Sequence, residues 1–565
     1  MKYSIACSAV LLISIICISS RLTNNPKPNI ICIIADDVGW NDVSYHGSDQ
    51  ISTPNIDSLG YHGLLLKRFY TQQVCTPSRA AFLTGQYPIR LGFQGYPLAL
   101  GVPKHIPKDV NTLPISLKKL GYSTHLIGKW HLGYAKKEHT PLGYGYDTHF
   151  GYWNGFMGYF NHTIGAKYTG YDLHDNYQPI TNKNGQYATD LFTERALDII
   201  KNHPRQDSLH LVISHLAGHT GKTLKTDHES ELEVANVTAT NEKYSFIKDT
   251  NRRKLAEIIE NMDKSVGDVV EALAKRNMLE NSIIVFFSDN GAPTYGMHAN
   301  SGSNYPLRGI KMTMYDGGVR TPSVIYSPLL QRTGDVFNGL FHVSDWVPTL
   351  FRAAGGNIKD FGPTDGIDQW ENLVNNQMLN ERTELLVDID PKFNYSAYIG
   401  YNGRYKLINH SYFSYNYTGD KGFTNPTIHY QRIKTSKTNI YIEKITNDRL
   451  TLKQTISLRN KVHLNCAPSA HEQERDEIRP CDGVCLFDLK EDPCEYRNVA
   501  AEHPEIVEYL SFKLNHLMRE AKPKPPIGFD VRSDPKLCNN TWFNWLDHDG
   551  CWYNHLSNSF DNNSL

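Results

Sequence analysis

Pro28–Trp40 reads PNIICIIADDVGW, a continuous apolar run of strand length that stops at two carboxylates, Asp36 and Asp37. A strand with one wet face alternates apolar and polar residues, whereas an unbroken apolar run belongs to a strand covered on both faces, as in a parallel sheet flanked by helices. Ligands in open α/β sheets collect beyond the carboxyl ends of the strands. The pattern returns at Ser282–Phe287, β-branched and aromatic, which runs into Ser288, Asp289, Asn290 and Gly291. Two strands far apart in sequence thus present three aspartates and an asparagine. Four oxygen donors without a thiolate or histidine-rich set suit Ca²⁺ or Mg²⁺ better than zinc, with Ca²⁺ preferred. Read singly, Asp-Asn-Gly is also a tight-turn sequence and Asp-Asp a solvated loop.

Between the two runs, Leu255, Ile258, Ile259, Met262, Val266, Val269, Val270 and Leu273 recur at helical spacing, which predicts a core-packing helix over Arg252–Met278. Helix followed by strand is the order of α/β folding. Periodicity breaks at GGNIKDFGPTDG, Gly355–Gly366, and the remainder offers shorter strands, clustered cysteines and a helix around Glu505–Met518. The expected class is α/β, with a large, mostly parallel central sheet flanked by helices and a smaller C-terminal α+β domain containing an antiparallel sheet. The expected division is residues 1–20 as a signal peptide, 27–385 as the catalytic domain and 386–565 as the smaller domain.

With 565 residues, of which 40% are hydrophobic, the chain can bury a large core, and its 58 basic and 59 acidic residues leave a net charge of -1. Nucleic acid is therefore not an expected partner. The N-terminus, MKYSIACSAVLLISIICISS, places Lys2 before an apolar run too short to span a bilayer comfortably, with small residues at Ser19 and Ser20 for cleavage. That predicts entry into the secretory pathway without stable membrane insertion. Seven N-x-S/T sequons, at Asn161, Asn236, Asn394, Asn409, Asn416, Asn539 and Asn562, fit a glycoprotein. Of ten cysteines, Cys7 and Cys17 lie in the signal segment, Cys32 in the first strand, Cys75 alone, and six crowd between Cys466 and Cys551. Six in an oxidising compartment suggest three bridges, whose connectivity is open among fifteen pairings.

The isolated Cys75 opens CTPSRAAFLTG, Cys75–Gly85, with Pro77 suited to the first turn of a helix whose amide groups form an anion site. Cys75, Pro77, Ser78 and Arg79 match C-x-P-S-R, the motif oxidised to formylglycine in sulfatases, and the chain is identified by it as resembling that family. GYSTHLIGKWHLG, Gly121–Gly133, is similar to the second family signature, with Lys129 and His131 two apart so that alternation points both one way. PLRGIKMTMYDGGVRTP, Pro306–Pro322, resembles the segment whose lysine, here Lys311, contacts sulfate, with Gly317 and Gly318 shaping the turn after it. In LHLVISHLAGHTGKT, His219 stands at the family's histidine position and His215 is its competitor; relatives commonly continue with proline where this chain has Gly221. Gln73 also departs from the small residue usual two positions before the cysteine. CLFDLKEDPCEYRNVA, Cys485–Ala500, and the helix after it resemble the C-terminal sheet of these enzymes, and the order of motifs is similar to the arylsulfatase B type. That type has bridges near the site which this chain, lacking cysteines between Cys75 and Cys466, is expected to lack.

The resemblance implies an alkaline-phosphatase-like fold and a sulfuric ester hydrolase. It assigns Asp36, Asp37, Asp289, Asn290 and the modified residue 75 to one Ca²⁺. It assigns Arg79 and Lys129 to the nucleophile and sulfate, His131 to release of sulfate, and His219 and Lys311 to the departing alcohol. Asp289 is implied as a proton acceptor. The implied substrate is a glycan or small-molecule sulfate ester: a glycosaminoglycan hexosamine sulfate, a glucosinolate or another aryl sulfate. A formylglycine-generating enzyme is the implied maturation partner. Secreted and lysosomal destinations, monomer and homodimer, all remain compatible. A related phosphatase would carry serine or threonine in place of Cys75 and a more histidine-rich dizinc site, an inactive carbohydrate-binding glycoprotein would have lost site residues, and a structural glycoprotein would need none of them.

Overall fold

The computed structural model describes residues 27–551 apart from 48, 166, 222–231, 297, 380–381, 393, 411–417, 423–424, 467–480, 482, 525–527 and 548–550. The signal segment and the sequons at Asn416 and Asn562 lie outside the described residues.

The elements that build the main layer are, in chain order, strands β1 (Asn29–Ala35), β2 (Leu64–Leu66), β3 (Tyr122–Lys129), β4 (Thr148–Tyr152), β5 (Ser208–Ser214), β6 (Ser282–Ser288) and β7 (Ser323–Tyr326). The helices are α1 (Pro54–His62), α2 (Cys75–Thr84), α3 (Ala188–Asn202), α4 (Thr250–Lys275) and α5 (Trp346–Ala353). The strands join a ten-stranded sheet in which β6, β1, β5, β3 and β4 lie side by side and parallel. Beyond β6 the sheet continues with β7, antiparallel to β6, and then β2, which is antiparallel to β7 and so runs with the main strands again.

The apolar run of β1 is explained by what covers it. Ile31, Ile33 and Ala35 face one core with α1, α3 and α4, while Ile30, Cys32 and Ile34 face a second with α2 and α5. All seven residues of β1 are buried, which is why alternation is invisible in the sequence. Cys32 is a free thiol in this wall, and burial pushes its pKa far up, as suits an inert core cysteine.

Helix α4 starts two residues earlier than its periodicity predicts, because the Asp249 side chain accepts from the Arg252 amide at 2.7 Å and caps it. It ends three residues earlier, at Lys275, where Asn277 takes a φ of 51° and turns the chain toward β6.

A four-stranded antiparallel sheet follows, made of β8 (Leu385–Asp390), β9 (Tyr395–Gly400), β10 (Tyr405–Asn409) and β11 (Val484–Asp488). Leu510 and Leu514 of α6 (Pro504–Glu520) cover one of its faces. Two later segments return to the large layer. Ile433, Ile442, Leu458 and Val462 enter the first core, and Trp542 and Trp545 enter the second beside Tyr134. The bridges are Cys466–Cys494, Cys481–Cys485 and Cys538–Cys551. No helix among the described residues is long and apolar enough to cross a membrane.

Candidate active site

Parallel pairing sets the carboxyl ends of β1, β5, β6 and β3 side by side, and the chain leaves each of them with a site residue. Asp36 and Asp37 follow β1, Asp289 and Asn290 follow β6, His219 follows β5, and Lys129 ends β3. α2 points its first turn at the same place with Cys75, and Arg79 lies one turn on. The structure brings all ten residues singled out in the sequence into one cluster, none more than 6% exposed.

Charge is matched inside it. Lys129 Nζ donates to Asp36 Oδ2 at 2.7 Å, and Lys311 Nζ reaches Asp37 Oδ1 at 2.6 Å and Oδ2 at 2.8 Å. Arg79 gives Nε and Nη2 to Asp289 Oδ2 at 3.0 and 2.8 Å, and its Nη2 lies 3.9 Å from Asp36 Oδ2. The Asp37 amide donates to Asp289 Oδ1 at 3.3 Å, and Asn290 Nδ2 to Asp37 Oδ1 at 2.6 Å. Burial and the nearby Asp36 push the Asp289 carboxyl up, against Arg79, Lys129 and Lys311. Burial opposes the charge on Lys311, yet Asp37 beside it holds the ammonium well above its usual range.

Two buried acceptors, Asp36 Oδ1 and Asn290 Oδ1, find no hydrogen-bond partner in this cluster. An unpaired buried carboxylate oxygen is costly, and an oxygen-coordinated divalent cation satisfies such atoms. Asp36, Asp37 and His219 also offer ligand atoms within 4.8 Å of one another. The donor set fits a hard cation.

The histidine tautomers follow from their partners. His131 Nε2 lies 2.8 Å from the Leu98 carbonyl, which can only accept, so Nε2 carries the proton and Nδ1 presents a lone pair 3.3 Å from Cys75 Sγ. His219 Nδ1 likewise donates to the Thr220 carbonyl at 2.8 Å, leaving Nε2 facing Asp37 Oδ2 at 3.6 Å. Burial, helped by Lys129, lowers the pKa of His131, and burial with Lys311 and Lys129 lowers that of His219. The contact of His219 with Asp37 is therefore not an ion pair in this state. His215 is buried against Phe192 and its ring nitrogens have no hydrogen-bond partner among the described residues.

Lys129 and His131 do share a site, but not through strand alternation. β3 ends at Lys129, and His131 lies beyond it with φ 59°. Asp37 and Met312 also take positive φ, 62° and 75°, so unfavourable backbone gathers at this edge. Gly317 and Gly318 sit in a helical turn, Asp316–Val319, whose backbone packs on Gly291: a Cβ there would lie 1.9 Å from the Gly317 carbonyl oxygen.

At Gln73, for which the sequence suggested no task, the backbone carbonyl accepts from the Met312 amide at 2.8 Å and the side chain donates through Nε2 to Asp388. It ties the Lys311 segment and β8 to the start of α2. Ser214, the last residue of β5, accepts from Arg79 Nη1 and had no motif to reveal it. Above Cys75 opens a cavity of about 580 Å³ lined by Leu98, Phe156, His219, His298, Lys311 and Met312 among others.

A family model described as Sulfatase matches residues 28–356. Mouse arylsulfatase J is 33% identical over 523 residues, covering 92% of this chain and 80% of that protein. Human N-acetylgalactosamine-6-sulfatase is 30% identical over 368 residues, 62% of this chain and 67% of that one. Among solved structures, Ps i-CgsB shares the fold with a TM-score of 0.67 at 23% identity, over 89% of this chain and 95% of its own.

Proposed function

The chain belongs to the sulfatase family of sulfuric ester hydrolases, and from that premise we propose that it is a formylglycine-dependent, Ca²⁺-requiring enzyme of the secretory pathway that acts on a sugar or aryl sulfate ester. The observation that carries this reading is the position of Cys75, at the first turn of α2 and on the floor of the cavity, among three cations and three carboxylates.

Asp36, Asp37, Asp289 and Asn290 would hold the cation, which when bound supplies positive charge to the sulfate oxygens. Oxidised to formylglycine and hydrated, residue 75 supplies a hydroxyl for attack on sulfur. Lys129, Lys311 and Arg79 hold the sulfate and balance the carboxylates. Asp289 accepts a proton on a carboxylate oxygen, with Arg79 fixing its orientation. His219 moves a proton at Nε2: the negative charge of an arriving sulfate favours its protonated form, which then serves the departing alcohol oxygen beside Lys311. His131 takes a proton at Nδ1 from residue 75, its ring fixed by the Leu98 carbonyl.

Glycan esters are favoured by the similarity to N-acetylgalactosamine-6-sulfatase, and aryl esters by the similarity to arylsulfatase J. Release of sulfate from a hexosamine sulfate, a glucosinolate and a synthetic aryl sulfate, each at acidic and neutral pH, tests the proposal. Turnover of at least one, abolished in Cys75→Ala, is expected; equal turnover by Cys75→Ala would contradict it.

A further inference from the structure

The cavity above Cys75 has walls unlike its floor. Cys75, His131 and Lys311 lie with the reacting groups, while Leu98, Leu100, Phe156, Ile164 and Met312 make much of the remaining lining apolar. Among the described lining residues, Lys311 and three histidines carry the only side-chain nitrogens, and none carries a carboxylate. A polyanionic chain leaving water needs cations along its path, whereas apolar walls gain by covering an uncharged ring.

The third histidine, His298, has no part in the chemistry above. The segment between β6 and Lys311 carries it to the cavity with φ 59°. Its Nδ1 lies 3.4 Å from the Thr220 hydroxyl, and its Nε2 has no partner among the described residues. Phe156 stacks on His219 at 5.0 Å and 18° and meets His298 edge-on at 5.0 Å, so one aromatic ring fixes both imidazoles. Burial pushes the His298 imidazole down to about 3, and it therefore offers a hydrogen bond without a charge. The two rings are 5.2 Å apart. With His219 at the departing oxygen, His298 is placed to meet an oxygen on the neighbouring carbon.

Resting on the sulfatase reading, we propose that His298 is a specificity-determining residue that hydrogen-bonds an oxygen on the carbon next to the ester, in an uncharged leaving group whose ring lies against Phe156, Leu98 and Met312. Catechol and sugar esters both offer such an oxygen.

Two aryl esters differing by one hydroxyl isolate the contact at acidic pH, where that hydroxyl keeps its proton: 4-nitrocatechol sulfate (2-hydroxy-5-nitrophenyl sulfate) carries the neighbouring oxygen and 3-nitrophenyl sulfate lacks it. His298→Ala is expected to raise KM for the former about five- to tenfold, the loss of roughly one hydrogen bond. For the latter the change should stay under about twofold, with kcat little altered for either. His298→Asn, which keeps a donor, should recover part of the loss. An equal loss on both esters, or one confined to kcat, would overturn the proposal, because His298 would then act only through His219. The same comparison with N-acetylgalactosamine 4-sulfate distinguishes the sources: a His298-dependent KM there supports a sugar, and one confined to the catechol ester supports a phenol. Preference for polymeric chondroitin 4-sulfate over the monosaccharide would overturn the uncharged leaving group. Calorimetric binding of 4-nitrocatechol needs no turnover. Binding that depends on His298 in a protein without sulfatase activity would sink the sulfatase reading and retain this contact; turnover with His298-independent binding would do the reverse.

Discussion

Cys75 is a buried thiol whose pKa burial raises while Lys129 and Lys311 pull it down, and its sulfur faces the unprotonated nitrogen of His131. If residue 75 acts only after oxidation, Cys75→Ser and Cys75→Ala will fold yet fall below about a thousandth of wild-type kcat/KM, a barrier increase of roughly 4 kcal/mol. Near-normal multiple turnover by either would remove it from the chemistry. Lys311→Ala strips Asp37 of its ion pair and the cavity of a cation, so kcat should fall about 10²- to 10³-fold while the protein remains folded. Unchanged kcat/KM with correct folding would place Lys311 outside the site. At this scale Cys75, Arg79, Lys129, His131 and Lys311 were legible because each belongs to a dense local motif. His298 and Ser214 were not, since each owes its position to the tertiary fold: one rides on an irregular loop and the other is an ordinary strand-end serine.

The strands were legible where burial on both faces left a run without polar interruption, as in β1 and β6. Element ends were less so. The cap at Asp249 is a single side-chain contact outside the periodic stretch, and the left-handed turn at Asn277 has no hydrophobic signal. Asp249→Ala should cost about 1 kcal/mol in chemical denaturation with little effect on kcat. Gly291 sits where two backbones meet, and Gly291→Ala must displace the Asp316–Val319 turn and with it the segment bearing Lys311. Overpacking of this kind costs about 1–3 kcal/mol, and kcat/KM should fall by more than the melting shift alone accounts for. A variant with wild-type kinetics and melting temperature would refute the tight approach.

Over the whole molecule, buried histidines outweigh buried acids in setting the response to pH. Burial pushes His149 and His215 down to about 4 and His174 and His210 down to about 3, from 6.5. Such groups favour the fold above 6.5, and that stability is lost as pH falls toward their folded values. Asp57, Asp172 and Glu495, each raised by burial to about 7, act in the opposite sense: they favour the fold at low pH and lose that contribution as pH rises through 7. Because the depressed histidines are the more numerous, the melting temperature should fall between pH 6.5 and 4; a rise would show that the acids dominate. A cation held by Asp36, Asp37, Asp289 and Asn290 would add to stability by mass action, about 2.7 kcal/mol at a hundredfold excess over Kd. Chelator-treated protein should therefore melt earlier and regain its stability with Ca²⁺ more than with Mg²⁺, and Asp36→Asn should blunt the gain. The small antiparallel sheet and the cysteine cluster were foreseeable in kind. The return of Trp542 and Trp545 to the main core is a long-range choice that no local pattern encodes, and the bridges mix scales, from Cys481–Cys485, four residues apart, to Cys466–Cys494, 28 apart.

The most direct measurement is the mass of the peptide that carries Cys75, taken from active protein made in cells able to mature sulfatases. A mass loss equal to conversion of the thiol to an aldehyde, in proportion to specific activity, is the expected result; full activity with an intact thiol would contradict the account.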